Sequence, residues 1–285
     1  MTTAAAPSGA PAGPAKPIGE AGRPPVAARR ARSGGGTPAM IGRSLRRLPR
    51  QPDTVIISVA LPVMLLLLFV YVFGGALDAA GGRTAYLTYV VPGIIVLASG
   101  WGAASTAVAV AADMTNGIID RFRSMPVRAP AVLTGHVAAS LAANAVATAL
   151  VIGIALGLGF RPDAGVGGWF AAIGVVAFYV LAITWVSVAL GLLAGSPDAA
   201  NGMTFFILFL PYVSSGFVAT DTMPGALRAF ADHQPLTPVI DTVRGLLVGG
   251  GADGSDLAAA LVWCAGILLV GYTASAVIYR RRSAR

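Results

Sequence analysis

The sequence predicts an all-α integral membrane protein with six transmembrane helices, and three observations carry that fold class. The 285-residue chain is 56% hydrophobic and only 11% charged, where water-soluble domains carry about 25% charged residues. Six stretches, about 54–77, 86–112, 131–160, 167–195, 203–220 and 257–279, approach or exceed the roughly 20 mostly apolar residues that cross a bilayer. No Asp, Glu, Lys or Arg lies well inside any of the six.

The basic residues orient the spans. The N-terminal arm, the 113–130 loop and the tail from Arg280 hold 9, 3 and 4 of the 20 Lys and Arg residues, while Arg83, Arg161, Arg228 and Arg244 fall in the segments on the opposite side. Basic residues concentrate in cytoplasmic loops, so both termini are expected in the cytoplasm. That placement accounts for the net charge of +8 without a nucleic-acid partner.

Taken in order, residues 1–37 are Ala, Pro, Gly and Arg with almost no large apolar side chains, the composition of a disordered arm. Residues 38–50 interleave Met40, Ile41, Leu45 and Leu48 with Arg43, Arg46, Arg47 and Arg50. An amphipathic helix in the headgroup region fits this stretch, and so does a plain positive-inside flank. The first span contains Pro62 and a VMLLLLFVYVF run. The second carries Gly100, Gly102, Ala103, Ala104 and Ser105, and the third and fourth carry Gly153, Gly157, Gly174 and Gly191. Small residues of this kind let neighbouring helices approach closely. The third span also holds His136 and Asn144, read as polar residues tolerated in a bundle.

Between spans five and six, residues 221–256 are not a featureless loop. Leu227, Phe230 and Ala231 share one helical face, as do Val239, Ile240, Val243, Leu246 and Leu247, with Pro235 and Pro238 between the two sets. Two short helices that dip into the outer membrane face or lie on it fit this pattern. An amphipathic surface loop is the other reading.

The stretch NGIIDRFRSMP, residues 116–126, lies in the loop between spans two and three. Ile118, Ile119, Phe122 and Met125 fall on one helical face, with Asp120, Arg121, Arg123 and Ser124 on the rest. Asn116 is placed to cap such a helix and Pro126 to end it. An amphipathic helix here suits either the membrane surface or a groove on a soluble partner.

Several chemistries are excluded. The only lysine is Lys16, so no G-x-x-x-x-G-K-[ST] phosphate loop exists. There is no H-E-x-x-H, and His136 and His233 fall on opposite sides of the predicted membrane, which excludes a histidine zinc pair. The single cysteine, Cys264, forms neither an intrachain disulfide nor a cysteine metal site. Ion-coupled carriers bury charged residues in their spans, and none is seen. No catalytic residues, cofactor or metal are assigned; a transporter of this composition takes its energy from another chain.

The stretch DMTNGIIDRFRSMPVRAPAVLTGHVAA resembles the loop after the second span in permeases of the ABC-2 family, and within it the daunorubicin/doxorubicin-resistance branch. Gly117, Ile118, Ile119, Asp120, Arg121, Arg123, Ser124, Met125 and Pro126 follow the family's G-[IL]-[IV]-[DE]-R-x-R-[ST]-[LM]-P pattern in order. FLPYVSSGFVATDTMPGALRAFADHQPLTPVIDTVRGLL resembles its fifth span and outer re-entrant hairpin, including Pro224, Gln234, Pro235, Thr237 and Arg244. The resemblance covers about 38–282, the transmembrane domain, and leaves the arm outside.

The resemblance implies an N-terminal elbow helix, a cytoplasmic coupling helix and a bacterial plasma-membrane location. Gly117, Ile119, Asp120, Arg121, Phe122, Arg123, Met125 and Pro126 would engage a separate ATP-binding subunit, present in two copies, which would hold the ATP and Mg. A second permease copy or a sister permease would complete the complex. The function implied is export of a hydrophobic or amphipathic drug or antibiotic, with a lipid or lipid-linked glycan as the alternative cargo. An ion-coupled secondary carrier and a membrane scaffold or sensor are the rivals from other classes. On span five, Phe205, Phe206, Phe209 and Tyr212, followed by Ser215, form an aromatic face with a hydroxyl. It fits a flat amphipathic substrate, although aromatic stripes in membrane helices are more often lipid- or helix-packing surfaces.

Overall fold

The computed structural model describes residues 52–73, 82–116, 129–249 and 251–283. The arm 1–37, the amphipathic stretch 38–50 and the whole of Gly117–Pro126 lie outside the described residues. Helix α1, Pro52–Leu68, continues as a π-helix over Phe69–Phe73. There follow α2, Gly82–Thr115; α3, Ala129–Gly157; and α4, Val166–Leu193. Helix α5, Pro197–Phe209, runs into a 3₁₀ turn at Leu210–Val213. A 3₁₀ turn at Thr220–Thr222 leads to α6, Gly225–His233, then α7, Leu236–Val248, and α8, Gly254–Ser283. No strand occurs among the described residues.

Among the described residues, four helices, α2, α3, α4 and α8, contain segments long and apolar enough to cross a membrane. The fifth predicted span differs from expectation. The sequence places it at 203–220, whereas helical backbone runs from Pro197 to Val213 and the chain is irregular from Ser214 to Ala219. Ser196 starts the helix, its Oγ accepting from the Ala199 N–H at 3.1 Å, and Pro197 fits the first turn, where no N–H partner is needed. At the far end Pro211 removes a donor, and Ser214 draws the chain out of the helix. Its Oγ donates to the Pro211 carbonyl at 2.6 Å and accepts from Gly216 N–H at 3.1 Å.

Apolar side chains are as content in lipid as in protein, so close packing and hydrogen bonds decide which helices sit at the centre. Helices α2 and α4 do: 72% and 61% of their most apolar segments are buried, against 28% for α3 and 17% for α8. Their contact needs Gly191, where a methyl group would come within 2.5 Å of the Ala107 carbonyl oxygen. Gly102 makes room in the same way for the Asn144 side chain of α3. Gly153, Gly157 and Gly174 do not behave as expected: nothing from a neighbouring helix lies within 4 Å of where their side chains would stand. They lie on the outer surfaces of α3 and α4, so small size there serves no close approach within this chain.

Helix α3 stops because Gly159, at φ 107°, reverses the chain, and the Phe160 N–H bonds the Ala155 carbonyl at 2.9 Å. The core joins Val90, Val91, Ile94 and Ile95 of α2 to Val176, Tyr179 and Val180 of α4 and to Val239, Ile240, Val243 and Leu247 of α7. Helix α7 is thus interior, while in α6 only Ala231 is buried.

Candidate functional site

The site lies where α5 breaks. Along α5 the rings of Phe205 and Phe209 stack at 6.3 Å, Phe209 and Tyr212 meet at 6.2 Å, and Tyr212 stacks on Phe217 at 5.5 Å. Phe217 stacks in turn on Phe69 of the π-helical end of α1 at 4.6 Å. Spacings of four and three residues put the first three rings on one helical face. Phe205, Phe206, Phe209 and Tyr212 are all exposed on the chain's surface, while Phe217 is buried. The aromatic ladder therefore leads from an open face into the bundle. The sequence placed Ser215 with this face, but its side chain turns inward.

Behind the ladder, the backbone at 213–217 is held by side chains from α2, from α7 and from the α6–α7 linker. Tyr89 of α2 donates to the Ser215 carbonyl at 2.8 Å, and Tyr86 donates to the Phe217 carbonyl at 3.3 Å. Gln234 donates to the Val213 carbonyl. Arg244 of α7 donates to the Ser215 carbonyl at 2.6 Å and to the Tyr89 carbonyl at 3.3 Å, and it pairs with Asp241. Ser215 Oγ donates to Asp241 Oδ1 at 2.8 Å. Non-helical backbone away from water needs such partners, because each unsatisfied group is costly. Gly93 lets α2 close on the break: a methyl group there would stand 2.5 Å from the Gly216 carbonyl oxygen.

The sequence reading counted Arg244 among the outer-side residues and gave Asp241 no role; the structure pairs the two. Helix α7 is buried along most of its length and packs against α2, α4 and α8. The two charges go inside with it, at 28% and 18% side-chain exposure, because they neutralise one another. The legible signal was an i, i+3 acid–base pair on an otherwise apolar helix. Gln234 and Thr237, quoted as part of the hairpin resemblance, prove to be its internal ties; Thr237 Oγ1 donates to the Ala231 carbonyl at 2.6 Å, joining α7 to α6.

At the far end of α2, the residues flanking the 117–126 stretch are described although the stretch itself is not. The Asn116 N–H bonds the Ala112 carbonyl at 3.0 Å, closing α2. His136 Nε2 of α3 lies 3.2 Å from Asp113 Oδ2 of α2, so this histidine has a specific partner.

Residues 37–248 match the model of the ABC-2 type transporter family. The chain belongs to the ABC-2 type transporter family. It is 31% identical over 243 residues, 85% of each chain, to the daunorubicin resistance ABC transporter permease protein DrrB1 of Streptomyces coeruleorubidus. It is 27% identical over 241 residues to the probable doxorubicin resistance ABC transporter permease protein DrrC of Mycobacterium tuberculosis, covering 85% of this chain and 87% of that one. The ABC-2 match ends at Val248, the last residue of α7, and so takes in the α5 break and all its ties. This ABC-2 permease is thus a membrane transport component homologous to drug-resistance exporters.

Proposed function

We propose that this ABC-2 permease is the membrane subunit of an ATP-driven exporter that moves a hydrophobic or amphipathic drug out of the cell. The observation that carries the reading is the homology over 85% of the chain to a daunorubicin resistance permease. The exposed aromatic ladder on α5 supports it, since stacked rings suit a flat polycyclic cargo. The spans contribute no nucleotide-binding motif, so ATP and Mg would be held by a separate subunit, in two copies. That subunit would dock on the 117–126 segment, with Ile119, Phe122 and Met125 as apolar anchors and Asp120, Arg121 and Arg123 fixing register. Two permease chains, or one with a sister permease, would flank the pathway. Six spans, both termini cytoplasmic in a bacterial plasma membrane, and α6–α7 as an outer re-entrant hairpin complete the reading. The burial of α7 and the exposure of α6 support the hairpin. Export of a lipid or lipid-linked glycan is the alternative use of the same machinery.

The test is a detergent pull-down of the tagged chain from its host, with retained proteins identified and ATP hydrolysis measured. Wild type should hold an ATP-binding-cassette protein, and Arg123→Glu and Phe122→Ala should fold but lose drug-stimulated hydrolysis. A folded wild-type permease that never retains an ATPase would sink the reading in favour of an ion-coupled carrier.

A further inference from the structure

We infer that Asp113 and His136 are a positioning pair that makes α2 and α3 respond as one body to the segment between them. This rests on the exporter reading, in which residues 117–126 receive the ATPase.

Asp113 sits two residues before α2 ends at Thr115, and His136 lies seven residues into α3. The 3.2 Å contact between them therefore bridges the two helix ends that flank the docking segment. The side chains are only 14% and 20% exposed, respectively, so water competes weakly for the bond. Nε2–H donates to a carboxylate oxygen whether the imidazole is neutral, in that tautomer, or protonated. Around the pair, Val110 of α2 and Leu133 and Val137 of α3 enter one buried cluster with Trp185, Val188 and Leu192 of α4 and Tyr279 of α8. Apolar packing of this kind is non-directional, and the close fit of Asn144 against Gly102 ties α2 to α3 further along the two helices. The 3.2 Å polar contact adds a directional tie at the two helix ends themselves, where the segment joins them. A displacement delivered to the 117–126 segment then reaches α3 and, through α2, the Tyr86 and Tyr89 ties to the α5 break.

The experiment exchanges the two groups in the full permease–ATPase complex, reconstituted in phosphatidylethanolamine–phosphatidylglycerol vesicles with doxorubicin as probe. The readout is probe transported per ATP hydrolysed, alongside basal hydrolysis and the thermal unfolding midpoint. Asp113→His and His136→Asp should each lower that ratio at least fivefold, with basal hydrolysis within twofold of wild type. The double exchange should recover at least half of the loss, and His136→Gln, which keeps a donor near the Nε2 position, should retain most of the ratio. Single exchanges that couple like wild type would overturn the role. So would a loss that merely tracks a fall in unfolding midpoint across all variants, or a double exchange that recovers nothing. If the wild-type chain retains no ATPase, the exporter reading itself falls, an outcome distinct from a coupled wild type with indifferent variants.

Discussion

The guanidinium carbon of Arg244 lies 4.0 Å from the centroid of the Tyr89 ring, while the same side chain donates to carbonyls on both α2 and the α5 break. One cation thus ties α7 to α2 and to the broken end of α5, and Asp241 balances its charge. Removing the cation alone strands the carboxylate in a mostly apolar setting. Arg244→Ala should therefore lower stability by about 3 kcal/mol, the low end for breaking a buried pair, because both side chains keep some exposure. Asp241→Ala with Arg244→Ala should cost less than the two single changes added together. Thermal unfolding in detergent reads both. Arg244→Lys should restore only part of the loss, since an ammonium lacks the planar fork that reaches several acceptors at once.

Glycines in similar helices should respond with opposite signs. Gly93→Ala drives a methyl group against the Gly216 backbone and should cost about 1–3 kcal/mol, the usual cost of overpacking. Gly153→Ala on α3 meets nothing within 4 Å and should gain about 0.5–1 kcal/mol from reduced chain entropy. A Gly93→Ala midpoint at or above wild type would show that the close approach at Gly93 is wrong, and a lowered midpoint for Gly153→Ala that its surface is not open.

Gly102 and Asn144 form a coupled pair across α2 and α3. A methyl group on residue 102 collides with the Asn144 side chain, whose Nδ2 donates to the Ser140 carbonyl at 3.0 Å. Gly102→Ala should destabilise, and adding Asn144→Ala should relieve much of that cost. A double-mutant cycle with no interaction energy beyond about 0.5 kcal/mol would show that the sites are independent.

The aromatic ladder should matter to transport more than to folding. Phe209→Ala removes the ring between Phe205 and Tyr212, from a position exposed on the chain's surface. Drug-stimulated hydrolysis should need several-fold more doxorubicin for half-maximal effect, with the unfolding midpoint within a few degrees of wild type. Unchanged drug dependence would assign this face to lipid or to a neighbouring helix.

Composition and periodicity made the architecture legible because they record local requirements. A helix that crosses lipid must be predominantly apolar along its length, and α2, α3, α4 and α8 each contain such a segment. Gln234, Pro235 and Thr237 were legible through a family pattern, and the structure supplies the contacts that such a pattern serves. Asp241 showed in the sequence only as half of an i, i+3 acid–base pair, and the role of Tyr89 was not legible. Nothing in the local sequence of α7 says that its charged pair will be covered by α2, and nothing in α2 says that its tyrosines will meet the carbonyls of residues 215 and 217. Asn144 and His136 looked alike as polar residues in a span, yet one rests on Gly102 and the other bonds Asp113.

The sequence by itself determined the all-helical class, the span candidates, the lack of nucleotide-binding or metal motifs, and the family pattern at 117–126. These follow from side-chain chemistry taken one segment at a time. The tertiary structure alone decided where α5 breaks, that α7 lies inside the bundle, and which glycines support a close approach. Each of those depends on groups far apart in the chain, such as Gly93 with Gly216 or Tyr89 with Arg244. The energy of a satisfied carbonyl or a tight helix contact belongs to the pair, so neither segment carries its record alone.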